Sequence, residues 1–242
     1  MDRKVFIIKG YSKTDKELAL DRYYSESYQN YFSSIAGGAY ESGDIIYIEE
    51  PTVEEVNNIL AGFNLDYSVI VLIGHGATQD DKQLFQLNNA EIIRPGQINP
   101  PSSKSLFILE SCRTEVKNIL AVDLNDKIPK FKYGGIVRAP ISREKSRELY
   151  NEQINNCADG IVVCFACSNT ETAKNFYFSL VLLQIGFNWH LEHWHHFETL
   201  TITKLMPHIA TEVDKIAVEK TGEHQTPEIS GALNFPFVVS KF

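Results

Sequence analysis

Two short segments of this 242-residue chain carry side chains able to do covalent chemistry. One is Gly74-His75-Gly76, directly after the apolar run Val69-Ile-Val-Leu-Ile73; the other is Glu110-Ser111-Cys112-Arg113, directly after Leu106-Phe-Ile-Leu109. An imidazole can take or give a proton near neutral pH, and a thiol beside one can attack a carbonyl. Glycines on both sides of His75 let the backbone come close to a substrate. They also leave the Gly76 N–H free to join the Cys112 N–H in holding an oxyanion. Alone, Cys112 reads as a buried structural thiol and His75 as a turn residue. Together, each at the end of an apolar run, they point to catalysis, although 37 residues separate them and only the fold can join them.

The elements around them alternate. Val5 to Ile8, Asp44 to Ile48, Tyr67 to Ile73, Ser105 to Leu109 and Gly160 to Ala166 read as five strands, and Phe235 to Val239 as a last one. Between them, Leu20, Tyr24, Tyr28, Tyr31, Phe32 and Ile35 have helical spacing over Asp15 to Ile35, and Thr52 with Glu55 forms a capping-box signature. The tyrosines of the first helix read as core and helix surface. Leu84 to Ile93 reads as an irregular hairpin, and Thr170 to Lys220 as mostly helical. No repeat, low-complexity tract or linker divides the chain, so residues 1–242 are expected to form one domain. Such alternation builds an α/β sheet of about six mostly parallel strands with helices on both faces, three layers in all. Chemistry in such sheets collects just beyond the carboxyl ends of the strands, where His75 and Cys112 stand.

Composition narrows the partners. With 23 Lys and Arg against 31 Asp and Glu, the net charge is −8, and no basic block is long enough to follow a phosphate backbone. Nucleic acid is therefore excluded as the expected partner. The longest apolar stretch, Phe176 to Phe187, is broken by Ser179, Gln184 and Gly186 and is too short for a bilayer. No signal-peptide core follows Asp2-Arg3-Lys4, so a soluble, cytoplasmic protein is expected. Four cysteines are too few for a disulfide framework in a chain this long. Cys164 and Cys167 have CxxC spacing but lie in a strand-like run, which favours packed core thiols over a redox or metal motif. His190, His193 and His196 recur on one helical face with His195 beside them, a spacing that could hold zinc. A polar helix surface is the simpler reading, and no metal site is assigned.

Val-Leu-Ile-Gly-His-Gly76 resembles the strand-plus-histidine segment of caspases and metacaspases, and Leu-Glu-Ser-Cys-Arg113 resembles their nucleophile segment. Glu110-Ser-Cys112 is closest to the metacaspase Asp-Ser-Cys, while Cys112-Arg113 echoes the caspase Cys-Arg. Val5-Phe-Ile-Ile8, Phe165 to Ala173 and His224 to Gly231 with Phe235-Pro-Phe237 are similar to further family segments, in the same order along nearly the whole chain. The resemblance implies a caspase-like peptidase domain with a Cys112–His75 dyad, an oxyanion hole of the Gly76 and Cys112 amides, and protein or peptide substrates. Monomer and homodimer both occur among such enzymes. No cofactor is required. Calcium, used by some metacaspases, has few acidic residues to meet it between His75 and the next strand beyond Asp80 and Asp81. Ile73 departs from the metacaspase pattern, which has Ser before Gly-His-Gly.

Glu110 lies two residues before Cys112, so on an extended strand end its carboxylate points to the same side and is expected to make the primary specificity pocket acidic. An arginine or lysine before the scissile bond would then be preferred, with Asp159 a second acidic candidate and Asp15 a remote one. The long connection between Cys112 and Gly160 is the expected self-processing region, with Arg138 and Arg143 the favoured cleavage points. Two other readings stay open: a peptidase preferring aspartate, and a caspase-fold interaction module that does no chemistry.

Overall fold

The sheet begins with β1 (Arg3–Lys9), flanked by β2 (Ile45–Glu49) and β3 (Tyr67–Ile73). β3 pairs with β7 (Lys104–Glu110), which pairs with β8 (Gly160–Phe165), all of these in parallel. A three-residue strand, β10 (Glu228–Ser230), closes the edge antiparallel to β8, giving the order β10-β8-β7-β3-β1-β2. The computed structural model describes residues 1–113, 141–192 and 198–240.

Alternation across each strand splits the core between the two faces. Val5, Ile7, Val69, Val71, Leu106, Ile108, Val162 and Cys164 face one layer, made by α1 (Asp15–Ser33), α3 (Arg143–Asn155), α4 (Tyr177–Glu192) and α5 (Ile202–Thr221). Phe6, Ile8, Ile70, Leu72, Phe107 and Leu109 face the other, where α2 (Val53–Ala61) packs. All seven residues of β3 are buried. Each such aliphatic side chain contributes about 1.5–3 kcal/mol of burial, which is what holds the central strands in one register. Tyr24, Tyr28 and Tyr31 of α1 are fully buried, with Tyr28 bonded to Ser179 and the Tyr31 hydroxyl donating to the Phe237 carbonyl.

The expected architecture is present, with differences at its edges. Phe235 to Val239 forms β11 (Pro236–Ser240), which leaves the main sheet and pairs with β9 (Glu198–Thr201) in a separate ribbon. The sixth strand is instead β10, too short and polar to show as a strand in sequence. The hairpin starts at once after His75, as β4 (Gly76–Gln79), β5 (Lys82–Gln86) and β6 (Ile92–Ile93), with Asp80 and Asp81 in a tight turn at φ 50° and 57°. The second face is also covered unevenly: α2 and the hairpin shield β1 and β3, while Ile161 on β8 is 48% exposed. Among the described residues no helix is long and apolar enough to cross a membrane.

Gly186 gives a direct test of the α1–α4 packing. An added Cβ would lie 2.6 Å from the Tyr31 hydroxyl oxygen, which is buried and hydrogen-bonded. Alanine gains about 1 kcal/mol over glycine in an open helix, but overpacking costs about 1–3 kcal/mol. Gly186→Ala is therefore expected to lower stability in urea unfolding, where the helix scale alone would raise it.

Candidate active site

The pairing of β3 with β7 ends at Ile73 opposite Glu110, and the Gly74 N–H still donates to the Glu110 carbonyl. His75 and Cys112 are each two residues beyond that last rung. The fold thus brings the two sequence candidates to the same edge of adjacent parallel strands. Contact between the segments is tight at Gly76: a Cβ there would lie 2.7 Å from the Cys112 carbonyl oxygen and 2.8 Å from Gln83 Nε2. Only glycine lets the backbone after the histidine lie against the nucleophile segment.

The two reactive groups make no hydrogen bond to each other. The Cys112 thiol points to the Ala173 carbonyl at 3.5 Å, and His75 Nε2 lies 3.3 Å from Glu17 Oε2. Burial pushes the Cys112 thiol up to about 11, helped by the Glu110 carboxylate, while the Ala173 contact and Lys13 partly oppose it. Burial also lowers the His75 pKa below its usual value, against the pull of Glu17. At neutral pH the site holds a thiol and a neutral imidazole rather than an ion pair. With Nε2 engaged by a carboxylate, Nδ1 is the ring nitrogen left to accept a proton.

Glu110 is buried, and its Oε2 accepts from the Ser179 N–H at 2.7 Å near the start of α4. Burial raises its pKa to about 7, and the Asp21 carboxylate adds to the rise. Asp21, on the buried side of α1, is itself raised to about 7 by burial, with Ser12 Oγ donating to it at 2.6 Å. The acidic neighbour of Glu110 is therefore Asp21. Asp159 does not serve: it is exposed and precedes Gly160, the first residue of β8, so it lies at the amino edge of the sheet, opposite the site. Asp15 is exposed in the first turn of α1.

Arg143 is not in exposed irregular chain either. It begins α3 and its guanidinium donates to the carbonyls of Ser33 (2.6 Å) and Tyr40 (3.1 Å). Arg138 lies outside the described residues, as do His193, His195 and His196. His190 is buried against the Val239 carbonyl, and among the described residues no cluster of three ligating side chains occurs. Cys164 and Cys167 are both buried and free, the core thiols expected.

Four residues unremarked in the sequence shape the site. Thr14 caps α1 and Glu17, three residues on, both completes that turn and orients His75. The Thr14–Glu17 spacing is visible in sequence as a helix start, with no sign of the histidine. On the hairpin, Gln83 Nε2 donates to the Cys112 carbonyl at 2.8 Å and Thr78 Oγ1 to the Arg113 carbonyl at 2.8 Å. Two successive carbonyls of the nucleophile segment are thus held by β4 and β5. Arg113 itself is buried over the Phe165 ring (4.2 Å) and pairs with Glu228 of β10 at 2.6 Å.

No family model and no curated protein matches the chain by sequence. Solved structures do match. Caspase-1 from Spodoptera frugiperda superposes with a TM-score of 0.54 at 11% identity, covering 95% of this chain and 87% of that one. The Drosophila initiator caspase Dronc gives 0.55 at 10% identity, covering 98% and 82%. This chain has the caspase fold. The similarity lies in architecture, and at such identity it carries no residue roles with it.

The Glu17–His75 contact predicts a titration. A carboxylate beside imidazole favours the charged ring, so its removal must lower the pKa further. In NMR titrations His75 is expected to titrate below the usual 6.5, and lower still in Glu17→Gln. An unchanged His75 pKa in that variant would separate the two side chains.

Proposed function

We propose that this caspase-fold chain is a cysteine endopeptidase working through Cys112 and His75. The observation that carries this is the placement of both residues two positions beyond the rung Ile73–Glu110, at the carboxyl edge where open α/β sheets bind substrates. Cys112 Sγ attacks the scissile carbonyl carbon as its proton passes to His75 Nδ1. The carbonyl π electrons move onto oxygen, where the Gly76 and Cys112 N–H groups stabilise the charge. The tetrahedral species collapses, the C–N bond breaks, and His75 returns the proton to the leaving amine. Water then hydrolyses the thioester, with His75 taking and returning a proton, and frees Cys112. A resting thiol raised to about 11 requires this proton transfer to accompany attack.

Basic specificity is part of the proposal. Glu110 and Asp21 form a buried acidic pair next to the nucleophile segment, suited to an arginine or lysine side chain before the scissile bond. Lys13 favours the other reading: its exposed ammonium is near enough to lower the pKa values of both Cys112 and His75, and could receive an aspartate. Self-processing within 113–159 also belongs to the proposal, with Arg138 now preferred to the helix-bound Arg143.

Fluorogenic peptides ending in Arg, Lys and Asp test the scheme. Cys112→Ala should abolish cleavage, and His75→Ala should reduce it by about two orders of magnitude. Cleavage after Arg should exceed cleavage after Asp, and Glu110→Gln should narrow the gap about tenfold. Faster cleavage after Asp would transfer the specificity role to Lys13.

A pH test follows from the same pair. Both acids are carried above their ordinary values, so the empty site favours their protonated forms. A bound guanidinium favours the ionised forms and releases protons, so affinity must rise with pH. KM for arginine peptides is expected to fall as pH passes upward through about 7, and to fall less steeply in Glu110→Gln, where Asp21 alone remains to ionise.

A further inference from the structure

The uneven cover on the second face leaves a cavity of about 420 Å³ over β7 and β8. Its floor is apolar: Phe107, Ile161, Val163 and Phe165. The hairpin and the turn after β6 form its sides and contribute two cations, Lys82 and Arg94. Neither has an ion-pair or side-chain hydrogen-bond partner among the described residues, whereas Lys9, Arg22, Arg113 and Arg147 all do. Ile161 alone is 48% exposed in a face whose neighbours on β3 are fully buried. Apolar surface and unpaired cations both ask for a partner, and a ligand-sized hollow containing both matches how small-molecule sites are built.

We propose that this cavity binds an arylalkyl carboxylate: a small molecule with an aromatic body and one carboxylate. The rings of Phe107 and Phe165 and the branched Ile161 and Val163 receive the aromatic body. The Arg94 guanidinium and the Lys82 ammonium receive the carboxylate, the former through paired charge-assisted hydrogen bonds. Charge complementarity selects the occupant. A neutral apolar guest would leave two cations unanswered, and a cationic one would be repelled. The cavity lies on a different face from Cys112 and touches the nucleophile segment through Gln83, which both lines the cavity and donates to the Cys112 carbonyl. The site does not depend on the peptidase reading.

The test uses 4-phenylbutyrate and its neutral amide against the full chain, followed by amide NMR. Saturable shifts centred on Lys82, Gln83, Gly96, Ile161 and Val163 are expected, with binding weakened about tenfold for the amide and for Arg94→Gln. Ile161→Asp, at a position already half exposed, should fold and should repel the acid. Cys112→Ala should bind it as wild type does. Equal binding of acid and amide, shifts centred elsewhere, undiminished binding to Ile161→Asp, or no saturation in the millimolar range would each overturn the proposal.

Discussion

The parallel pairing of β3 with β7 is the constraint on which the site depends. Side chains alternate along a strand, so a slip of one residue would turn the whole of either strand inside out. Burial of β3 on both faces prevents that slip. Because the register is held from Ser68–Ser105 to Ile73–Glu110, the two segments beyond it leave the sheet level with each other. The hairpin then locks what the register has aligned. Gly76 allows the close approach, and Gln83 and Thr78 hold two successive carbonyls beyond the strand. An apolar core thus sets the geometry of polar groups that contribute little to it.

Burying acids so close to the nucleophile has an energetic cost. Asp21 has the Ser12 hydroxyl and the Lys9 charge to offset its burial, and Glu110 has Ser179, yet desolvation outweighs them in both. Because their folded pKa values exceed the ordinary ones, they add least to stability above pH 7 and most below about 4, opposite to a salt-bridged carboxylate. Structural carboxylates elsewhere in the chain follow the ordinary pattern: Arg22 holds Glu49 below its usual value. A pair of poorly compensated carboxyls is more readily understood as prepared for a guest than as a source of stability.

Much of the central architecture was legible in sequence because long periodic segments report burial directly. The runs that became β1, β3, β7 and β8, the first helix and the Thr52–Glu55 cap all rest on such patterns. His75 and Cys112 were legible because each directly follows a buried strand. What stayed hidden had short or ambiguous signals. β10 has three residues, two of them exposed, and no alternation to read. β11 has the pattern of a sheet strand, but its apolar residues pack within the ribbon and helix layer. Asp159 was misplaced for a reason sequence could have supplied, since a residue entering a parallel strand stands at the end opposite a residue leaving one. Asp21 and Glu17 sit on one helix with different fates, and only the packing of α1 against the sheet edge distinguishes them.

The burial that raises the Cys112 thiol also determines when this chain is chemically vulnerable. Oxidants and alkylating agents react with thiolate, of which the folded protein holds almost none at neutral pH. Its unfolded chain has no such protection, because the thiol there returns to its ordinary value. The surroundings of Cys112 come from segments far apart in sequence: the Ala173 carbonyl is 61 residues away, and the β3–β7 rungs link residues 37 apart. Contacts of that span form late in folding. The thiol therefore keeps its ordinary acidity while the chain folds, and becomes a poor source of thiolate only once these contacts form around it. Irreversible thiol damage should accumulate in newly made and partly unfolded molecules, so oxidative loss of this protein would follow its rate of unfolding more closely than its time spent folded.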